Sequence, residues 1–337
     1  MHHINIPKRA IIETEYTCNL RCKSCTLWHE DYRIKRDEKE KLSREKLEIV
    51  YKNLSHSGVK NITYIGGEPF LKDYIFDTAS DAKKYGLITS VVTNGTLLDD
   101  KKINRIMNED LFENIIFSID GDKKIHNEIR GVDNAYQLAY ENAKKIFVLK
   151  ARLKKRKPKI LIYITVSKLN YKFVKKAIKE ITKINPNRIR IQLASSIIDD
   201  IIKQTNDELS LNAIRTHSYI NNISLSESEI RYLRDEIREI KNEFSVKIET
   251  EKIIMEKNDL CHFINRDMVI TPSGKILICP MLNEINIGNI YNDELEKMYA
   301  DNNDKINRIL QMANSHKLDI CSECCVEKIL LTHNNYH

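Results

Sequence analysis

The chain has 337 residues, of which 42% are hydrophobic and 31% charged, and 55 Lys and Arg against 48 Asp and Glu give a net charge of +7. This composition excludes an integral membrane protein and a disordered chain, and the length predicts about two domains. The longest apolar run, 160–166, is too short to span a bilayer. Because the first residues lack a signal peptide, we expect a cytoplasmic protein with reduced cysteines and no membrane partner.

Apolar and β-branched runs alternate with helical patterns along the first part of the chain. The runs predict strands at 10–15, 61–65, 88–92, 114–119, 160–166 and 188–193. The spacing between them predicts helices at 43–54, 74–85, 101–108, 135–149 and 172–184, with Ser43 as the first N-cap. Such alternation predicts a parallel sheet with right-handed crossovers, in which ligands gather at the carboxyl ends of the strands.

The later residues have a different pattern. Residues 224–244 predict one charged amphipathic helix, which we interpret as a bridge between two parts. Residues 267–271 and 275–278 flank the turn residues Pro272, Ser273 and Gly274 and predict a β-hairpin. Five of the eight cysteines lie in this final third, so metal binding is the expected role for them.

Three more cysteines, Cys18, Cys22 and Cys25, follow the first predicted strand on one loop. Thiolates at such short spacings suit adjacent corners of a cubic iron–sulfur cluster. If the loop holds only three corners, the fourth iron stays open to another ligand. The alternative is a structural zinc site with His29 as the fourth ligand.

Further motifs follow the next predicted strands: Gly66-Gly67-Glu68-Pro69, Thr93-Asn94-Gly95-Thr96, Ser118-Ile119-Asp120-Gly121 and the HxxxRG segment that ends in Arg130-Gly131. Together with the CxxxCxxC loop, and in the same order, they resemble the motifs of the radical S-adenosylmethionine (radical SAM) superfamily. The resemblance covers residues 10–195. One departure is Ser24, where the family usually has an aromatic residue next to adenine, and we expect it to affect adenine packing only modestly.

The resemblance implies that Cys18, Cys22 and Cys25 hold a 4Fe–4S cluster whose open iron chelates SAM. It implies that Glu68 binds the SAM amino group, that Arg130 binds its carboxylate and that Ser118 contacts its ribose or carboxylate. The full set of SAM-binding residues implied in this way is Gly66, Gly67, Glu68, Pro69, Asn94, Ser118, Asp120 and Arg130.

The C-terminal cysteines, with the GxxxxC hairpin at 274–279, resemble the auxiliary-cluster domains called SPASM and, in a shorter form, Twitch. Their number supports one auxiliary 4Fe–4S cluster, which makes two 4Fe–4S clusters in the chain. The ligands implied are Cys261, Cys279, Cys321 and Cys324. The spacing also leaves Cys325 open as the fourth ligand, and a zinc site is the alternative.

These observations predict an α/β protein with three parts. Residues 1–200 form a partial (β/α)6 TIM-like barrel, 201–250 a helical bridge and 251–337 a small cysteine-rich SPASM/Twitch-like domain. The resemblance implies a radical SAM oxidoreductase that cleaves SAM to a 5'-deoxyadenosyl radical and takes a hydrogen atom from a substrate C–H bond. The auxiliary cluster would then accept an electron. A redox-neutral epimerase and a zinc-stabilised nucleic-acid-binding protein are the alternatives.

The expected partners are a peptide or small-molecule substrate and a reductant such as flavodoxin or ferredoxin. No residue pattern identifies a catalytic acid or base. The basic run 150–159 is interpreted as a solvated helix end, because cations suit the negative pole of a helix and Pro158 stops it. Nucleic acid is therefore not an expected partner.

Overall fold

One curved β-sheet organises the protein. The computed structural model describes residues 5–25, 27–28, 42–194, 199–214, 223–250, 261, 263–322 and 324. Within these ranges the strands are β1 (Arg9–Glu13), β2 (Asn61–Ile65), β3 (Ile88–Thr93), β4 (Asn114–Ser118), β5 (Lys159–Val166), β6 (Arg188–Leu193), β7 (Ile248–Thr250), β8 (Asp267–Ile270), β9 (Lys275–Leu277) and β10 (Asn286–Asn289). Their order in the sheet is β10-β9-β8-β1-β2-β3-β4-β5-β6-β7.

Helices connect most of these strands and cover the outer side of the sheet. The bounds are α1 (Arg44–His56), α2 (Tyr74–Lys84), α3 (Asp100–Asn108), α4 (Lys123–Arg130), α5 (Ala135–Arg152), α6 (Val174–Ile181), α7 (Asp199–Leu209), α8 (Glu227–Glu243), α9 (Phe263–Arg266), α10 (Leu295–Asp301), α11 (Asn303–Asn314) and α12 (Asp319–Ser322). Ser43 caps α1 as predicted, since its side chain accepts a hydrogen bond from the backbone N–H of Lys46. Every helix in the described ranges is too short or too polar to cross a membrane.

Strands β1 to β7 pair in parallel and in sequence order. The six predicted strands and the β/α alternation are therefore confirmed, as is the α/β barrel-like class with a small C-terminal part. Strand β7 adds a seventh parallel strand after α8. Its three residues are too few to stand out as an apolar run.

The C-terminal part joins the same sheet. Strand β8 pairs in parallel with β1, so that Arg9 lies opposite Asp267, and β8, β9 and β10 continue as antiparallel neighbours. The predicted hairpin is confirmed, with Gly274 at a φ of +85° in its turn. A positive φ of this kind favours glycine.

The two faces of the sheet differ in burial. On β1, Ala10 and Ile12 are buried in the core under the helices, whereas Arg9, Ile11 and Glu13 on the other face are only half-buried. The outer face thus carries the apolar packing. The inner face of the barrel remains partly accessible to solvent, which leaves room for a site.

Helix α1 offers a matched test of this packing. Leu54 is fully buried and Ile49 on the same helix is 43% exposed. Leu54→Ala should lower the free energy of unfolding by about 2–5 kcal/mol, because it leaves a cavity in the core. Ile49→Ala should change it by less than about 0.5 kcal/mol. Urea denaturation followed by circular dichroism measures both, and equal losses would contradict the packing described.

Candidate active site

The cysteine loop follows β1 and lies against the end of α4. The backbone N–H of Lys23 donates to the carbonyl of Ile129 at 2.8 Å, and that of Arg21 to the carbonyl of Arg130 at 3.4 Å. These bonds hold the loop beside the carboxyl ends of the strands. Its three thiols form no disulfide and line one cavity of about 230 Å³: Cys18, Cys22 and Cys25.

The glycine pair after β2 packs directly on the chain that leads into this loop. The N–H of Gly67 donates to the carbonyl of Glu15 at 2.7 Å, and the N–H of Glu68 donates to that of Thr17 at 3.0 Å. A Cβ on Gly67 would lie 1.8 Å from the Thr17 carbonyl oxygen. Only glycine permits this approach, and Thr17 immediately precedes Cys18.

Glu68 is buried at the wall of the cavity, 1% exposed. Its Oε1 accepts hydrogen bonds from the Thr93 hydroxyl at 2.7 Å and the Phe70 N–H at 3.1 Å, and its Oε2 accepts one from the Asn94 N–H at 2.7 Å. Three donors thus converge on this carboxylate. Burial nevertheless raises the pKa of Glu68 to about 7, so a cationic ligand would complete its surroundings.

The turn after β3 reaches the cysteine loop. The Asn94 amide donates to the Asn19 side chain at 2.9 Å and lies 3.8 Å from the Cys18 sulfur. The turn itself is held from outside, because the buried Asn142 on α5 donates to the Gly95 carbonyl at 2.9 Å. Asn94 is therefore fixed between the loop and Glu68.

Arg130 and Asp120 form a buried ion pair at 2.5 Å on another wall of the cavity. Arg130 also donates to the Ser118 carbonyl at 3.2 Å and lies 3.6 Å from the Cys22 sulfur. Burial acts to lower the pKa of Arg130, but Asp120 and Cys22 hold it above its ordinary value. The second oxygen of Asp120 accepts from the Thr165 N–H at 2.9 Å, which ties this pair to β5.

The predicted SAM-binding residues therefore come together with the three cysteines. All of them except Pro69 line the same cavity, and Pro69 begins a short 3-10 helix, Pro69–Leu71, behind it. Sequence reasoning missed Thr93, whose hydroxyl holds Glu68, and Thr165, which lines the cavity from β5. Thr93 belongs to the TNGT motif, so the sequence could have indicated it as a site residue. Thr165 belongs to no motif, and no sequence pattern indicated it.

Trp28 also lines the cavity, and its indole N–H donates to the Cys22 carbonyl at 2.9 Å. This hydrogen bond positions the Trp28 indole beside the cysteine loop. His29, which the zinc alternative required, lies outside the described residues.

A second, smaller cavity brings together four of the five C-terminal cysteines: Cys261, Cys279, Cys321 and Cys324. Its other walls are apolar, formed by Phe263, Ile264, Met281, Leu282, Ile309, Ala313, Leu318 and Ile320. The N–H of Cys261 donates to the Asn314 side chain at 2.7 Å, which ties it to α11. Four thiols in an apolar shell fit an iron–sulfur cluster. Cys325 lies outside the described residues, so the choice between it and Cys324 stays a prediction.

Family comparisons agree with these two groups of cysteines. A sequence model of the Radical SAM superfamily matches residues 12–149, so this part of the chain is a radical SAM domain. More particularly, a model of the SPASM iron–sulfur cluster-binding domain matches residues 261–325. The chain thus carries a radical SAM domain and a C-terminal SPASM domain.

Individual relatives have low sequence identity to this chain or match only part of it. An S-adenosylmethionine-dependent nucleotide dehydratase from Flammeovirga pacifica is 31% identical over 114 residues, which are 34% of this chain and 39% of the relative. Among solved structures, Streptococcus suis SuiB bound to the precursor peptide SuiA aligns with a TM-score of 0.65 at 15% identity, covering 88% of this chain and 65% of that one. The enzyme anSMEcpe with bound AdoMet aligns at 0.66 and 19% identity, covering 95% and 84%. These likenesses show the fold.

The Gly67 contact makes a specific prediction. Gly67→Ala should displace the Thr17 carbonyl and the cysteine loop with it, so the variant should bind clearly less iron at Cys18, Cys22 and Cys25 after anaerobic reconstitution. Gly86→Ala is the control: a Cβ there meets nothing within 4 Å, and the backbone strain that its φ of +71° imposes falls at the amino end of β3, away from the cysteine loop. Iron and sulfide analysis measures both. Full iron loading of Gly67→Ala would show that the contact does not position the loop.

Proposed function

We propose that this protein is a radical SAM oxidoreductase with two 4Fe–4S clusters, one at Cys18, Cys22 and Cys25 and one at Cys261, Cys279, Cys321 and Cys324. The observation that carries the proposal is the shared cavity: residues from the ends of β2, β3 and β4 and from α4 face the three thiols of one loop. Bound SAM, cleaved reductively at the first cluster, would supply a 5'-deoxyadenosyl radical that takes a hydrogen atom from the substrate.

Different residues of the chain would bind different parts of SAM. Glu68, with three hydrogen-bond donors already on its oxygens, would bind the amino group as a carboxylate. Arg130, held by Asp120, would bind the carboxylate, because guanidinium groups bind carboxylates with well-defined geometry. Gly66, Gly67 and Asn94 shape the wall between them. Enclosure by these walls would also exclude water and protect a reactive intermediate.

The second group of cysteines would make the overall reaction an oxidation. After hydrogen abstraction, the substrate radical would lose one electron to the auxiliary cluster and one proton to a base that is not identified. A reductant such as flavodoxin or ferredoxin would supply the electron that cleaves SAM. A redox-neutral epimerisation, in which a hydrogen atom returns to the substrate, is the alternative, and Cys325 would be its candidate donor.

Two substrate classes are supported by the relatives. SuiB has been solved with a precursor peptide, which supports a peptide substrate. The matching dehydratase is named for a nucleotide, which supports a small molecule. Because the chain spans less than two thirds of either protein, both substrate classes are proposals for this chain.

The metal content tests the two-cluster proposal. Anaerobically reconstituted protein should contain about eight irons and eight sulfides per chain. Replacing Cys18, Cys22 and Cys25 with Ala should leave about half, and replacing Cys261, Cys279 and Cys321 should leave the other half. Iron analysis and electron paramagnetic resonance measure this result. Stoichiometric zinc without iron in anaerobic material would refute the proposal.

The raised pKa of Glu68 predicts how SAM binding depends on pH. Because the amino group needs an ionised carboxylate and the pKa of Glu68 is about 7 in the ligand-free protein, affinity should fall as the pH drops through 7. Between about pH 8 and about pH 6 the loss should be about tenfold.

Glu68→Gln is the matched variant for this measurement. It should bind SAM weakly at every pH and lose the acid-side dependence, as equilibrium dialysis of the reconstituted protein would show. The same pH profile in both proteins would assign the titration to another group and remove Glu68 from the amino-group site.

A further inference from the structure

Asp120 lies just beyond the end of β4, where the regular pairing of strands stops. The Ile119 N–H still donates to the Tyr163 carbonyl of β5 at 3.0 Å. Asp120 is only 3% exposed, and a buried backbone N–H or carbonyl without a partner costs free energy. Its backbone groups therefore need partners outside the strand ladder.

Four residues supply partners for Asp120. Its backbone N–H donates to Nδ1 of His126 at 3.1 Å, and its carbonyl accepts from the Asn170 side-chain amide at 2.7 Å. Its Oδ1 accepts from the Thr165 N–H at 2.9 Å, and its Oδ2 lies 2.5 Å from Arg130 Nη2. Both backbone groups and both carboxylate oxygens are thus bonded. Of these partners, His126 belongs to the HxxxRG motif but has no role in the site described above.

Helix α4 brings two of these partners to the same place. His126 and Arg130 are four residues apart, so their side chains lie on one face of the helix and tilt toward its N-terminus. Gly121 permits the close approach of this helix to the strand end, because a Cβ there would lie 2.9 Å from the Ile125 Cβ. One face of α4 therefore holds Asp120 at two points, the backbone N–H and the carboxylate.

The hydrogen bond from Asp120 also defines the protonation of the His126 ring. Nδ1 accepts from a backbone N–H, so it carries a lone pair, and the proton of the neutral imidazole lies on Nε2. A second proton would break this bond and place a buried cation one helical turn from Arg130. Burial, and after it the charge of Arg130, holds the pKa of His126 well below its ordinary value. The ring is therefore a neutral acceptor at Nδ1.

Stability alone does not account for a histidine at this position. His126 is 0% exposed and packs against the Tyr136 ring, with ring centroids 5.9 Å apart. Its Nε2 is buried and has no hydrogen-bond partner among the described residues. A buried polar atom of this kind is unfavourable, whereas an apolar side chain of similar size would fill the same space without that cost. The bond to the Asp120 N–H is what an apolar side chain could not provide.

We propose that His126 is a positioning residue for SAM binding, which fixes the Asp120 backbone and, through the Asp120 carboxylate, the direction of the Arg130 guanidinium. Arg130 also lies 3.6 Å from the Cys22 sulfur, so a rotation of Asp120 would move the guanidinium relative to the cysteine loop. His126 does not line the cavity and acts through Asp120. The inference rests on the proposed function, because it takes Arg130 to bind the SAM carboxylate.

Equilibrium dialysis of the reconstituted full chain with SAM and with decarboxylated SAM tests this inference. Decarboxylated SAM lacks the carboxylate that Arg130 is proposed to bind. His126→Leu has a similar size and no acceptor, so it leaves the Asp120 N–H unsatisfied and should weaken SAM binding about tenfold. Its affinity for decarboxylated SAM should equal that of the unmodified protein. A merely structural role of His126 would lower both affinities together.

Two further variants locate the effect at Nδ1 and keep the test decisive if His126→Leu fails to fold. His126→Asn places an amide oxygen near the Nδ1 position and should bind SAM nearly as tightly as the unmodified protein. His126→Gln extends toward the Nε2 position and should bind SAM as weakly as His126→Leu. Tyr51→Phe is the control for the loss of a buried hydrogen bond, because the Tyr51 hydroxyl lies 2.6 Å from that of Tyr64 in the core. It should leave both affinities unchanged.

Three results would overturn the inference: equal losses of affinity for SAM and decarboxylated SAM, unchanged SAM affinity in His126→Leu, or equal SAM affinity in His126→Asn and His126→Gln. Iron content and SAM binding of the unmodified protein report separately on the proposed function. No SAM binding by the unmodified protein would overturn the proposed function and this inference with it.

Discussion

The close contact between the Gly67 backbone and the Thr17 carbonyl is the constraint on which the site depends. It lets the chain after β2 pack directly on the segment that enters the cysteine loop, with N–H groups of Gly67 and Glu68 bonded to that segment. The position of the three thiols is thereby coupled to the position of the Glu68 carboxylate. A cluster site and a site for the ligand of that cluster must keep a constant separation, and a backbone contact provides it without flexible side chains.

Much of this arrangement could be predicted because its determinants are local. Parallel strands place their carboxyl ends at one edge, so motifs after successive strands had to meet there. The hairpin at Gly274 and the cap at Ser43 are local as well. Pairing of β8 with β1 could not be predicted, because the hydrophobic periodicity of a segment does not indicate which distant strand will pair with the free edge of β1. The ion pair of Arg9 with Asp267 depends on that pairing, and the ion pair of Arg190 with Glu249 depends on the pairing of β6 with the unpredicted strand β7.

The barrel divides stability and chemistry between the two faces of its sheet. Apolar residues such as Ile12, Ile162 and Ile189 are fully buried on the outer face and supply the packing energy. The inner face mixes polar side chains such as Thr63, Tyr163 and Gln192 with apolar ones such as Ile116 and Leu161. Polar groups there do not require the close apolar packing that a closed barrel interior has. The partly solvent-accessible interior is therefore compatible with a stable fold, because the core under the outer helices already provides the apolar packing.

The parallel pairing of β8 with β1 has a consequence for biosynthesis. Strand β1 keeps one edge unpaired until the cysteine-rich part has been translated, since Asp267 on β8 is the residue that pairs with Arg9 there. Pairings between such distant segments slow folding, and open strand edges promote misassembly in crowded surroundings. The nascent chain therefore passes through a long period in which the loop thiols are present without a finished barrel around them. Closure of the sheet at this edge of β1 is therefore a late event, which synthesis of the cysteine loop directly after β1 precedes.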